Sequence, residues 1–148
     1  MKDRIEIINA HGRDRVDRDR IRRIVRNVLR GERQPPALVT VVFIGSRHSR
    51  RMNREFLHHD YATDVISFPL EGGVNLEAEI YVNLDRVRVQ AREHGVSFAN
   101  EIARLVIHGT LHLAGYDDRL KGDSRIMFER QEAYVGALSG KPRLHGMR

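Results

Sequence analysis

Residues 37–45 read ALVTVVFIG, the longest apolar run in the chain. The run has strand length and falls far short of the ~20 residues that a membrane helix needs. An almost unbroken series of apolar, largely β-branched side chains suits a strand covered on both faces. Such a strand demands helices to cover it, and the flanking sequence supplies them. Arg4–Asn9 (RIEIIN) reads as a short strand. After a loop holding His11 and Gly12, with Asp14, Asp17 or Asp19 as the cap, Ile21, Ile24, Val25, Val28 and Leu29 form one stripe of a helix. Arg15, Arg18, Arg22 and Arg26 fall on another face of it. Gly31 and Pro35-Pro36 end the helix.

Beyond the apolar run, Ser46–Leu57 reads as helical, with Met52 and Phe56 as an i, i+4 apolar pair, and residues 58–64 as a polar loop. Val65–Phe68 is a short strand stopped by Pro69, Gly72-Gly73 a turn, and Ala78–Val82 an alternating strand. A helix from Asp85 to about His94 closes at Gly95. Another, capped by Ser97, runs to about Ala114, and a last one, opened by Asp123 or Ser124, runs to about Leu138. Gly140-Lys141-Pro142 starts a basic tail, expected to be mobile. The pattern predicts an α+β fold: a small mixed four-stranded sheet covered by about five helices. At 148 residues the chain, 1–148, suits one domain.

The helix ending near Ala114 carries the chemistry. Residues 106–118 read VIHGTLHLAGYDD. His108 and His112, four apart, share one helix face and can reach one ion. Gly115 permits a sharp turn that can fold Asp118 back toward them as a third ligand. The competing reading is a helix that happens to carry two histidines. With no cysteine in the chain, thiolate sites and disulfides are excluded, and any metal must use His, Asp, Glu or water. Zinc peptidases place a glutamate directly after the first histidine to take a proton from water. Here that place is Gly109, which disfavours peptide hydrolysis. A helical glycine costs roughly 1 kcal/mol relative to alanine, so a packing or access reason is expected for it.

HGTLHLAGYDD resembles the signature H-G-x-L-H-L-x-G-Y-D-H of the YbeY family of endoribonucleases, departing only at the last place. MNREFLHHDYATDVISFP resembles the family's other characteristic block, and AEIYVN, QAREHG and NEIARLVIHG follow in the family's order. The resemblance covers roughly Val41 to Glu132. It implies a zincin-like metal helix in a small α+β domain and one Zn²⁺ per chain, with Mn²⁺ or Ni²⁺ as alternatives. It also implies cleavage of single-stranded RNA, in maturing the 3′ end of small-subunit ribosomal RNA and in ribosome quality control. The partners implied are ribosomal RNA and the small subunit, with no DNA and no membrane. The alternative is a non-catalytic RNA-binding assembly factor with a structural metal.

Three departures bear on the site. Asp118 stands where the family has a third histidine, which weakens the Lewis acid and loosens selectivity toward harder ions. Leu57 and His58 replace an Arg-Gly pair whose arginine suits phosphate; Arg54, His58 and His59 are the candidate substitutes. Arg104 replaces a frequent histidine and either reaches phosphate or pairs with Glu101. Asp117 either orients a ligand histidine or ends the helix in solvent. Asp64 and Ser67 either line the groove or are satisfied by backbone, and Tyr116 reads as a packing aromatic.

Charge agrees with a polyanionic partner. Residues 1–54 hold 15 basic and 6 acidic side chains, a net of +9, whereas the remainder holds 11 and 14, a net of −3. A basic front part either draws nucleic acid or is a solvated, arginine-rich surface, and the arginine face of the first helix is the candidate for tracking an RNA backbone. The N-terminus, MKDRIEIINAHGRDR, has no apolar segment of a secretory signal, so a cytoplasmic protein is expected.

Overall fold

The computed structural model describes residues 3–57, 62–70 and 76–138. The expected loop around His58 and His59, the Gly72-Gly73 turn and the basic tail lie outside them. Strands β1 (Arg4–Asn9), β2 (Ala37–Ile44), β3 (Val65–Leu70) and β4 (Leu76–Asn83) form one sheet in the order β1-β2-β4-β3. β1, β2 and β4 run parallel, and β3 is antiparallel to β4 at the edge. The helices are α1 (Arg18–Gly31), α2 (Ser46–Met52), α3 (Leu84–His94), α4 (Phe98–Leu113) and α5 (Lys121–Leu138). This is the α+β arrangement that the alternation of strands and helices predicts.

β2 sits second in the sheet, and its side chains divide between two cores. Ala37, Val39, Val41 and Phe43 join the stripe of α1 and the buried faces of α3, α4 and α5. Val42 and Ile44 face the other way, into a smaller cluster with Met52 and Ile66, against which Phe68 and Tyr81 pack. Burial on both faces therefore holds in the second half of β2, whereas Leu38 and Thr40 are only partly covered. Among the described residues no helix is long and apolar enough to cross a membrane.

Several boundaries differ from expectation for identifiable reasons. β3 continues through Pro69 to Leu70. As an edge strand it tolerates the missing N–H, which would break a central one. The stretch 46–57 is helical throughout but changes character: α2 gives way to a π-helical turn over Asn53–Leu57, leaving Phe56 61% exposed and edge-on to Phe68. α5 opens at Lys121, before Asp123 and Ser124, so that Asp123 sits in its first turn, where the helix dipole favours a carboxylate. The caps follow the residue chemistry. Asp17 accepts from the Arg20 amide, Ser97 accepts from Asn100, and Gly95 ends α3 at φ 65°.

Helix α4 is buried nearly all round, as its apolar composition requires. α1, α3 and α5 pack on it, and its remaining side lies on β3 and β4. α5 runs antiparallel to it, since Gln131 meets His108 while Glu132 meets Arg104 further back along α4. Glu32, just past α1, ties three segments together. It accepts from the Tyr116 hydroxyl at 2.7 Å, from Arg130 Nε at 2.9 Å and from the Tyr134 hydroxyl. Burial acts to raise the pKa of Glu32. The hydrogen bonds from Tyr134, Tyr116 and Arg130, with the charge of Arg130, outweigh that and hold it below its ordinary 4.5.

A carboxyl lowered by folding stabilises fully above its unfolded pKa, and that stability is lost as pH falls through its lower folded value. Glu32→Gln is therefore expected to destabilise the protein at pH 7 by about 1–3 kcal/mol, the range for disrupted hydrogen bonds to a charged group. The gap between variant and wild type should narrow as pH falls below 4.5. Denaturant unfolding across that range checks both statements.

Candidate metal centre

The close contact of α4 with the sheet decides which way its histidines face. A Cβ at Gly109 would lie 2.8 Å from Ile80 Cγ2, 3.0 Å from Ser67 Oγ and 3.3 Å from Val65 Cγ2. Position 109 thus points into β3 and β4, and no side chain fits there without displacing them. Packing of sheet side chains, rather than approach of another backbone, accounts for the glycine. At 3.6 residues per turn, His108 and His112 lie roughly 60–100° to one side of that line, on the flank of α4 beside α5. The Ser67 hydroxyl also donates to the Gly109 carbonyl at 3.0 Å.

After α4, Gly115 turns the chain at φ 104°, a conformation that favours glycine. The Tyr116 hydroxyl is held by Glu32, and Tyr116 packs on the main core. With Tyr116 fixed, the chain returns past the histidines. Asp118 Oδ2 lies 3.6 Å from His108 Nε2 and 3.5 Å from His112 Nε2. All three candidate ligand atoms fall within 4.8 Å of one another.

These separations are long for hydrogen bonds but suit an ion placed between the atoms. Two ligands ~2.1 Å from a tetrahedral centre are about 3.4 Å apart. The His108 ring is also oriented for the task. Its Nδ1 lies 2.7 Å from Gln131 Oε1, which can only accept, so Nδ1 carries the proton and Nε2 presents its lone pair. Two imidazoles and one carboxylate are a donor set for a borderline divalent ion with an open position. The residues present fit a metal.

Gln131 was not visible in the sequence motif. It lies 19 residues downstream of His112, on α5, and only the antiparallel packing of α5 on α4 brings it to His108. Its own amide donates to Glu132 Oε2 at 3.1 Å, and Glu132 pairs with Arg104. Arg104 also reaches buried Glu101, at 3.2 Å, and Glu101 lies 3.1 Å from His94 Nδ1. Of the two expectations for Arg104, pairing with Glu101 is the one seen. Burial disfavours its charge, but Glu132 and Glu101 keep its pKa above the ordinary arginine value.

Two hollows flank the histidines. One, of about 1100 Å³, runs along β3 and is lined by Val65, Ser67, His112, Asp118, Arg119 and Leu57, among others. The other, of about 390 Å³, lies on the Gln131 side of His108 and includes Asp64 and Gln90. Ser67 is therefore both a wall of the cleft and bonded to backbone. Asp64 is a turn carboxylate: it accepts from the Val65 amide at 2.8 Å and from Gln90 at 3.2 Å. Asp117 accepts three contacts from Arg119, which with the weaker pull of His112 hold its pKa near about 2. That carboxylate engages Arg119 rather than a histidine ring. Arg54 is exposed in the π-helical turn, whose neighbours Asn53 and Leu57 line the cleft. His59 lies outside the described residues.

Comparison with known proteins shows the family of the chain. The family model for endoribonuclease YbeY matches residues 6–139. The endoribonuclease YbeY of Chlorobium luteolum is 47% identical over 116 residues, covering 78% of this chain and 85% of that protein. That of Chloroherpeton thalassium is 37% identical over 132 residues, covering 89% and 94%. A solution structure of a Thermotoga maritima protein superposes with a TM-score of 0.65 at 31% identity, covering 92% of this chain and 89% of that one.

If Asp118 completes the ligand set, Asp118→Ala is expected to weaken zinc binding by at least tenfold, whereas Asp118→His retains it. Competition titration against a chromophoric chelator measures both. Unchanged affinity in Asp118→Ala would remove this residue from the site.

Proposed function

The chain belongs to the endoribonuclease YbeY family, and from that premise we propose that it is a metal-dependent endoribonuclease for single-stranded RNA. We further assign it to maturation of the small-subunit ribosomal RNA 3′ end and to ribosome quality control, in the cytoplasm, with residues 1–148 acting as one domain. The observation that carries the reading is the convergence of His108, His112 and Asp118 on one point beside a cleft. Zinc is the ion proposed, from the nitrogen-rich donor set, with Mn²⁺ or Ni²⁺ as substitutes. When bound, such an ion supplies charge to a phosphate in transition and acidity to a coordinated water.

The protein's own groups do the rest. The two histidines and Asp118 would hold the ion beside the cleft, where it would come within reach of a phosphodiester laid along β3. Arg119, whose side chain is 86% exposed, lines the same cleft. It can exchange Asp117 for a phosphate oxygen and so stabilise developing negative charge. Among the described residues no strand pairs with the outer edge of β3, and an extended single strand would lie along Val65 to Pro69. Gly109 leaves no room for the glutamate base of a peptidase. Both nucleophiles open to RNA cleavage, the neighbouring 2′-hydroxyl and water, dispense with a carboxylate at that position.

A second reading, an RNA-binding assembly factor with a structural metal, draws on Leu57. This apolar residue stands in the cleft wall where the resemblance places an arginine. The discriminating assay incubates wild type and His112→Ala, each with measured metal content, with single-stranded RNA, the same sequence as duplex, and an unstructured protein. The proposal expects wild type to cut the single strand only, and His112→Ala to lose metal and cleavage together. RNA binding without cleavage in any of the three metals would transfer the case to the second reading, and proteolysis would contradict both.

A further inference from the structure

The sequence pattern places Arg15, Arg18, Arg22 and Arg26 on one face of the first helix, but Arg15 precedes the Asp17 cap and lies outside α1, and the structure spends two of the others on its own fold. Arg18 donates to the Ile7 carbonyl at 2.7 Å, and Arg22 donates to the Ile5 carbonyl at 3.2 Å and to Asp19 at 2.9 Å. They fasten α1 to β1. A different set faces outward. Arg20, Arg23, Arg26 and Arg30, with Asn27, line a groove of about 540 Å³ between α1 and Leu138 at the end of α5. Arg20 donates to the Ala99 carbonyl at 3.2 Å. The side chains of Arg23, Arg26 and Arg30 make no hydrogen bond or ion pair with a described residue. From Arg20 to Arg30 the groove spans roughly 15 Å of helix. It shares no lining residue with either hollow at the histidines.

We propose that this arginine groove binds the phosphate backbone of an RNA helix adjoining the single strand that the metal centre cuts. Four guanidinium groups lie together, and among the described residues that line the groove there is no carboxylate, a repulsive arrangement that an anionic partner relieves. Guanidinium forks match phosphate oxygens in geometry as well as charge. None of the described lining residues is aromatic, so they offer no platform for unpaired bases. They suit a partner read by backbone and shape, as an RNA duplex is. Contacts of this kind position a substrate and carry no sequence preference. The inference rests on the RNA-cleaving reading for the identity of the polyanion and extends it to a second, separate surface.

The test is binding to metal-free protein, followed by fluorescence anisotropy across a salt series. The probes are an RNA hairpin with a single-stranded 3′ extension, and the extension alone. The combined variant Arg23→Gln/Arg26→Gln/Arg30→Gln is compared with a variant of equal charge loss elsewhere, Arg86→Gln/Arg92→Gln/Arg125→Gln, after both are shown to melt like wild type. The groove variant is expected to weaken hairpin binding and to lower the log–log salt slope by about 2 to 3, for three lost contacts at ~0.7–0.9 each. Binding of the extension alone should stay as in wild type, and the control variant should keep the hairpin slope. An unchanged hairpin slope in the groove variant would overturn the proposal, as would equal losses on both probes or in both variants. Cleavage is scored separately. A protein that loses the hairpin slope but never cuts RNA keeps the groove and defeats the nuclease reading. One that cuts RNA yet ignores the groove variant does the reverse.

Discussion

Helix α4 lies so close to β3 and β4 that position 109 has no room for a Cβ, and the candidate site follows from that contact. It fixes the rotation of α4 about its axis, and so the direction of both histidines. It also brings the α4 backbone against the edge strand, where the Ser67 hydroxyl caps the Gly109 carbonyl. A bulkier residue would lift the helix or turn it, and either motion carries His108 and His112 away from Asp118. The glycine costs roughly 1 kcal/mol in helix propensity, and the fit against the sheet offsets it. The same contact removes the position from which a peptidase's glutamate acts, so one packing constraint both directs the two histidines and restricts the chemistry open to them.

Asp118, the proposed third ligand, is held from a distance. It belongs to a short segment between α4 and α5, whose return starts at the Gly115 turn. Tyr116 anchors that return, because its hydroxyl is bound by Glu32 at the far end of α1. Arg130 and Tyr134 share that carboxylate, so α1, the segment and α5 are joined at one buried charge. α5 in turn delivers Gln131 to His108. Two of the supports of the site thus rest on residues outside the motif that carries its ligands.

That division explains what was legible in the sequence. The spacing of His108, His112, Gly115 and Asp118 obeys local rules, helix periodicity and a glycine turn, and local rules can be read from a chain. The strands and helices were legible for the same reason. Pro69 misled because a proline stops a central strand but not an edge strand, and edge position is a property of the whole sheet. Gln131 and Glu32 were hidden because their roles arise from antiparallel packing of α5 on α4 and from the end of α1 meeting Tyr116. The arginine face of α1 was misassigned in part: periodicity places Arg18 and Arg22 on a helix surface, but only the position of β1 shows that backbone carbonyls are waiting there.

This packing brings two imidazoles and one carboxylate within reach of a single ion. X-ray absorption at the zinc edge of the zinc-loaded protein reads that arrangement, because it counts nitrogen-ring and oxygen neighbours without reference to activity. Two imidazole ligands at about 2.0–2.1 Å are expected, with the remaining neighbours oxygen. A shell with three imidazoles, or with none, would contradict it.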